Sequence, residues 1–566
     1  MRLQPLPASL LPRHPAGAAR VAAVALLLAA AGCSRVADTG NSTSALPSDS
    51  KSVAPDTASA ASASVAAHAP GIAWLHVVGE ADVDRAFNQA RAQNKPLFLY
   101  WGAVWCPPCN QVKATLFNRS DFIERSRAFV PVYLDGDSAG AQKLGARYKV
   151  RGYPTMILFK PDGAEITRLP GEVNPQRYLQ VLTLGINAVR PVKDLLREAL
   201  ERNGRARLTA EDWRLLAYYA WDTDEQQLVP KAELAGKLAQ LARACPPEQR
   251  DASQRLLLKS LAAAADTTPA PGGAPADKQT LARVDAILVD PQLARENNDI
   301  LVGWPTELIN RLAPAGSAER APLAQHWAAA LDRLSRDTTL SRGDRIDALG
   351  ARIEVAKLLA GTAPLDPELL RQVRDIVARI DLDTTNPYER QAVIPSAGHV
   401  LADAGLLHDS DALLTAELPR AIAPYYHMLV LASNDRKRGD KAGALEWYEK
   451  AYGQSRGPAT RLQWGATYVS ALVELAPQDA RQIDHVVSQI IAELPPQADT
   501  FYERNQRALQ RIGRVLDQWN AKGAHTALVQ QLHGKLGLVC RKLPPGDAAR
   551  AQCDSAFDAP AASART

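Results

Sequence analysis

Residues 96–109, Pro96-Leu97-Phe98-Leu99-Tyr100-Trp101-Gly102-Ala103-Val104-Trp105-Cys106-Pro107-Pro108-Cys109, join an apolar run to a pair of cysteines. The run from Pro96 to Trp101 reads as a buried strand, and Pro107 and Pro108 suit the opening turn of a helix, where backbone N–H groups lack intrahelical partners. A dithiol therefore sits at a strand-to-helix junction. Two thiols at this spacing can close a small ring, and a helix N-terminus favours the thiolate of the first. Cys106 is the candidate nucleophile. Cys109, one turn further in, is placed to attack a mixed disulfide formed at Cys106 and is the candidate resolving thiol. The competing readings are half of a zinc site, a structural disulfide, or copper(I) held by the same sulfurs. Zinc asks for four ligands, and the chain has no second CxxC and no nearby Cys/His pair.

A second stretch narrows the choice. Val150-Arg151-Gly152-Tyr153-Pro154-Thr155 precedes the apolar Met156-Ile157-Leu158-Phe159, and Lys95-Pro96 opens the first strand. In these features residues from about 72 to 188 resemble the thioredoxin superfamily, most closely the periplasmic thioredoxin-like domains of thiol:disulfide interchange proteins. The resemblance implies an α/β thioredoxin-like fold with a cis Pro154 facing the dithiol. It implies substrate docking beside Trp105, Tyr153 and Pro154, and a redox-active dithiol with no cofactor and no metal. The partners it implies are disulfide-containing periplasmic proteins and a membrane or periplasmic electron donor. Reduction of substrate is the expected direction, subject to the potential of the pair and its redox partner. One position departs from the family, which commonly carries a buried Asp six residues before the first cysteine, where this chain has Tyr100. A phenol is a poor base near neutral pH, so Tyr100 reads as a core residue, with water or another carboxylate left to serve Cys109.

The neighbouring segments read in the same sense. Ala81 to Gln93 carries Val83, Ala86, Phe87 and Ala90 on one helical face. Phe129 to Leu134 reads as a second buried strand, and Ala139 to Tyr148 as the helix crossing to Pro154. Pro161-Asp162-Gly163 predicts the turn of an antiparallel hairpin. Asn174-Pro175 supplies an N-cap and first-turn proline for a closing helix through about Leu184.

The chain has 566 residues, too many for one core, with 46% hydrophobic and 22% charged residues, an ordinary globular composition. Residues 1–33 read as a lipoprotein signal peptide: Arg2, Arg13 and Arg20, the apolar run Val21 to Ala31, then Gly32-Cys33. Ala30-Ala31-Gly32-Cys33 resembles a bacterial lipobox, which would lipidate Cys33 and anchor the chain to a membrane facing the periplasm. Ordinary cleavage leaving Cys33 free is the alternative. Ser34 after the cysteine slightly favours the outer membrane. Removing the three arginines of this acid-free segment takes the formal charge from +5 to +2, and no basic run is interleaved with aromatics, so nucleic-acid binding has no support. Residues 34–70, dominated by Ser, Ala, Thr and Pro with no Phe, Tyr or Trp, read as a disordered tether.

The thioredoxin-like domain is expected over 71–188 and a large all-α region beyond it. That region divides into a helical subdomain at 189–265, a loop at 266–278 marked by Thr267-Thr268-Pro269-Ala270-Pro271-Gly272-Gly273, a helical, repeat-like, solenoid-type stretch at 279–545 and a C-terminal tail at 546–566. Leu431, Ala432, Gly439, Ala444, Tyr448 and Ala451 fall where tetratricopeptide repeats place packing residues, and Trp464, Gly465 and Tyr468 restart the pattern. A generic helical bundle would use small residues at the same spacing. Cys540 and Cys553 bracket a short loop that a disulfide would close, the alternative being two free thiols, and Cys245 reads as structural. The ten histidines show no metal-ligand spacing. Two functions follow from these readings: a tethered periplasmic thiol:disulfide oxidoreductase, or a scaffold or assembly lipoprotein whose thioredoxin-like domain only binds.

Overall fold

The computed structural model describes residues 71–557 except 170, 172–173, 202–203, 223, 225–227 and 268–275. The signal segment, Cys33, the tether and most of the expected loop at 266–278 lie outside the described residues.

Residues 71–186 build a five-stranded mixed sheet. The elements are β1 (Leu75–Val77), α1 (Glu80–Gln93), β2 (Leu97–Gly102), α2 (Pro107–Val112), α3 (Ser120–Arg125), β3 (Val130–Asp135), α4 (Ala141–Tyr148), β4 (Thr155–Phe159), β5 (Glu165–Leu169) and α5 (Pro175–Ile186). The strand order is β1-β3-β2-β4-β5. β3 runs parallel to both β1 and β2, and β4 runs antiparallel to both β2 and β5. β2 is central, and all six of its residues are buried. That burial explains why it reads as an unbroken apolar run rather than an alternating one. Its side chains divide by parity: Leu97, Leu99 and Trp101 join α1 and α4 in one cluster, while Phe98 and Tyr100 join α5 in the other. β1, three residues long, is the strand that the sequence pattern did not reveal.

Two local signals act as read. Asn174 Oδ1 accepts from the Arg177 N–H at 2.8 Å and caps α5. At the Asp162-Gly163 turn, Gly163 has φ +94°, a conformation glycine adopts without a Cβ penalty.

From Val192 onward every regular element among the described residues is helical. The boundary expected at 188 does not interrupt the packing. One apolar cluster runs from Phe98 and Tyr178 through Val192, Leu195 and Trp213 to Leu257. Backbone pairing crosses it as well, since the Ala220 N–H donates to Arg168 O in β5 at 3.1 Å. Further on, helices pack as sequential neighbours, among them Pro424–Arg438 with Lys441–Gln454 and Pro458–Leu475 with Ala480–Glu493. Ala444, Tyr448, Ala451, Trp464 and Tyr468 are buried in these pairs. Gly439 takes the left-handed conformation that ends its helix, at φ +81°.

The stretch expected as a C-terminal tail from 546 contains a further helix. Ala548–Asp554 is a helix, capped by Asp547 Oδ1 on the Ala549 N–H at 2.8 Å, and Cys553 is bonded to Cys540. Phe557 is buried behind it. Ala549 and Ala556 are buried with Cys553 and Phe557 on the inner side of this segment.

Candidate active site

β2 ends at Gly102, and the chain turns through Ala103–Trp105 into α2 with Cys106 as its N-cap. Cys106 and Cys109 form a disulfide with Cα atoms 5.2 Å apart. The Cys109 N–H donates to Cys106 Sγ at 3.2 Å, the same hydrogen bond that would stabilise a thiolate there. Asn110, wholly buried, donates from Nδ2 to Val104 O at 2.7 Å and to Cys106 O at 2.9 Å, pinning the turn to the first coil of the helix. α2 continues into a wider π-helical turn, Lys113–Phe117.

Opposite the dithiol, the Tyr153–Pro154 peptide is cis, and Tyr153 O lies 3.6 Å from Cys106 Sγ. Cys106, Cys109, Tyr153 and Pro154, far apart in sequence, thus converge on one place, with Trp105 beside them: its ring meets that of Tyr153 edge-on at 6.3 Å.

Tyr100 lies beneath the pair with its OH 3.4 Å from Cys109 O. Burial raises its phenol well above the ordinary value, with the neighbouring Tyr133 phenol and Asp135 carboxylate adding to the shift, so it holds its proton. Lys113 approaches the Tyr133 ring at 5.5 Å, and burial lowers its ammonium pKa against the opposing pull of Asp135. Asp137, just past β3, is pushed up to about 6 by burial, although Thr460 hydrogen bonds pull the other way.

Sequence reading missed the groups that the helical region brings to this place. Tyr426 stacks on Trp105 at 6.2 Å and 15°, and Trp464 meets it edge-on at 5.1 Å. The Arg504 guanidinium lies 5.1 Å from the Trp105 ring centroid and 4.6 Å from that of Tyr153. These residues stand more than 300 positions downstream, and in sequence an aromatic in a helix looks like any core residue.

Among the described residues, no group of three or more His, Cys, Asp or Glu could hold a metal ion, and no helix is long and apolar enough to cross a membrane. Cys245 is buried, and burial pushes its thiol up to about 12, away from reactivity.

Comparison with known proteins agrees with this geometry. A family model described as a thioredoxin-like domain matches residues 83–185. The thiol:disulfide interchange protein DsbD of Pseudomonas fluorescens is 35% identical over 112 residues, which is 19% of this chain and 19% of that protein. The thiol:disulfide interchange protein DsbD 2 of Pseudomonas aeruginosa is 32% identical over 111 residues, again 19% of each chain. The chain thus spans about a fifth of the length of the curated relatives it matches. Residues 83–185 form a thioredoxin-like domain with DsbD-like relatives, set in front of a long helical region.

Proposed function

We propose that this chain is a periplasmic thiol:disulfide oxidoreductase that reduces substrate disulfides. Cys106 as thiolate attacks one sulfur of the substrate disulfide, forming a mixed disulfide and releasing the other sulfur as a thiolate that takes up a proton. Cys109, deprotonated, then attacks Cys106 Sγ; the Cys106–Cys109 bond forms, and the second substrate sulfur leaves as a thiol. Two electrons pass from the dithiol to the substrate, and a membrane or periplasmic donor restores them. The observation that carries this reading is the bonded Cys106–Cys109 pair at the start of α2, facing a cis Tyr153–Pro154 peptide. Trp105, Tyr153 and Pro154 form the docking face, and lipidation at Cys33 tethers the chain to the membrane, the outer membrane in preference. The helical pairs from Pro424 to Glu493 serve as a tetratricopeptide-type partner surface.

The test is equilibration of the full chain in glutathione buffers, with the state of Cys106 and Cys109 read by alkylation and mass. A midpoint near about −270 mV supports a reductase fed with electrons from elsewhere, and one near about −120 mV makes the protein a disulfide donor. A pair that never closes sinks the redox reading. A second reading, a scaffold lipoprotein whose thioredoxin-like domain is a binding module, draws support from the burial of the dithiol beneath the helical region. A Cys109→Ala variant separates the two: mixed disulfides trapped on Cys106 support the enzyme, and partners that survive reduction support the scaffold.

A further inference from the structure

A thioredoxin-type nucleophile has to meet its substrate at the surface, and here it does not lie at the surface. Cys106 is 2% exposed, Cys109 0% and Trp105 8%. What covers them is the chain itself. The helix Pro387–Asp403 lies along α2 and its π-helical extension. Tyr426 and Trp464 enclose the ring of Trp105 from the helical side, and Arg504 lies over both Trp105 and Tyr153. The surface that would take up an extended substrate is therefore occupied.

The cover is fastened on several sides by polar contacts whose partners would otherwise face solvent. Gln111, in α2, donates from Nε2 to Ser341 Oγ at 2.9 Å and to Asp344 Oδ1 at 3.2 Å. Beyond β3, Asp137 Oδ1 accepts from the Thr460 N–H at 2.7 Å, and Thr460 Oγ1 donates to its other oxygen. Gly457 lies so close to this carboxylate that a Cβ there would stand 2.6 Å from Asp137 Cγ. In α4, Gln142 uses both ends of its amide: Nε2 donates to Gly136 O at 2.8 Å, and Oε1 accepts from the Arg504 N–H at 3.1 Å. Glu503, immediately before Arg504, has φ +43°, in the left-handed region that is uncommon for residues other than glycine. It sits where the covering helix Glu503–Trp519 begins and aims the next residue at the docking face.

We propose that the helical region is a lid on the dithiol, with Tyr426, Trp464 and Arg504 occupying the docking face of the thioredoxin-like domain, so that an extended disulfide-bearing polypeptide reaches Cys106 only when this contact gives way. The proposal rests on the thiol:disulfide reading of the same site. The lid and the substrate compete for Trp105 and Tyr153, so an extended segment carrying its own aromatic or cationic side chain near the disulfide is the partner best suited to displace it.

The test is the rate at which the reduced full chain is alkylated at Cys106, with iodoacetamide as the small probe and a 5-kDa polyethylene-glycol maleimide as the bulky one. A reduced peptide spanning residues 103–112 gives the uncovered rate. The lid predicts that the bulky probe reacts at least about 100-fold more slowly with the wild type than with the peptide, and that Trp464→Ala and Thr460→Ala each recover at least tenfold of that loss. Circular dichroism checks that the variants fold. Should Trp464→Ala fail to fold, Thr460→Ala, Gln111→Ala and the wild-type rate still decide the matter. Wild-type alkylation as fast as the peptide overturns the lid, as does a slow rate that no folded interface variant changes. The glutathione titration separates the two failures: a pair that never closes removes the redox reading while slow alkylation leaves the lid standing, and a pair that cycles with an unprotected Cys106 removes the lid alone.

Discussion

Tyr100 occupies the position from which a carboxylate would serve the inner thiol in the family that the sequence resembles. Its ring is packed edge-on to Phe117 at 4.8 Å and stacked on Tyr133 at 5.3 Å, and its phenol holds its proton far above neutral pH. The hydroxyl therefore has no acid–base part to play. Tyr100→Phe is expected to leave the pH profile of dithiol oxidation unshifted and to cost about 0.5–1.5 kcal/mol of stability for the lost contact with Cys109 O. Tyr100→Asp should instead cost roughly 3–5 kcal/mol, since it empties an aromatic site and buries a carboxyl group. Urea titration of the two variants separates these outcomes, and a pH profile displaced in Tyr100→Phe would show that the phenol takes part. At this scale much of the site was legible. Two cysteines at one helix end and a Gly-Tyr-Pro before a strand are short patterns, and their chemistry is set by neighbours in the chain. Asn110 was not legible, because its two bonds to the turn before it depend on the turn's shape and not on any spacing of residue types.

At the scale of elements, the join between the end of β3 and the helix Pro458–Leu475 depends on pH. Asp137 is half-buried there, receives both Thr460 donors, and is faced by Asp135, which raises its pKa, and by Arg504, which lowers it, with Tyr153 and Tyr425 alongside. Its carboxyl is pushed up to about 6, above the ordinary value of about 3.9 that it regains when unfolded. A raised acid favours the folded state in its neutral form, so its contribution is fully present below about pH 4 and is lost as pH rises through about 6. The loss is on the order of 3 kcal/mol at the limit of complete burial. Asp137→Asn keeps an acceptor for the Thr460 N–H and removes the titration. The variant is expected to flatten the dependence of the thermal midpoint on pH between 4 and 7, and an unchanged slope would rule out Asp137 as its source. A second element-scale prediction concerns the C-terminus. The Cys540–Cys553 bond closes a loop with a sequence separation of 13 and ties down the helix Ala548–Asp554. Reduction, or Cys553→Ser, should cost about 3 kcal/mol in the chain-entropy model and raise hydrogen exchange in that helix first. These joins left little trace in the sequence. Asp137 and Thr460 are 323 residues apart, and no local periodicity records a contact at that distance. β1 and the last helix were missed for a different reason: three residues and seven residues are too few for a period to appear.

Taken as a whole, the molecule uses its helical region in two ways, and the two can be cut apart. The helices from Val192 to Thr267 complete the core of the sheet domain: Leu195, Trp213, Leu216 and Leu241 share one buried cluster with Phe98, Tyr178 and Leu182, and Ala220 takes up a backbone carbonyl of β5. The covering groups Tyr426, Trp464 and Arg504 come from much later helices. In the sequence, the change from mixed to helical patterning near 190 reads as a domain boundary, because periodicity reports what an element is and not what it packs against. The helix Arg250–Thr267 serves two clusters at once, with Leu257 in the first and Leu258 in the next. A fragment of residues 71–188 therefore exposes the face of α5 and β5 that Val192, Leu195 and Trp213 cover. Burying each such side chain is worth about 1.5–3 kcal/mol, so this fragment should unfold at a clearly lower urea concentration than one of residues 71–267, or fail to fold. Equal midpoints would mean that the first helices are appended to the domain and do not complete it. The same 71–267 fragment lacks every covering residue. Its reduced dithiol should react with a bulky maleimide far faster than the full chain does, although its sheet domain is as complete. Stability that is retained while protection is lost would locate the core in the first helices and the cover in the later ones.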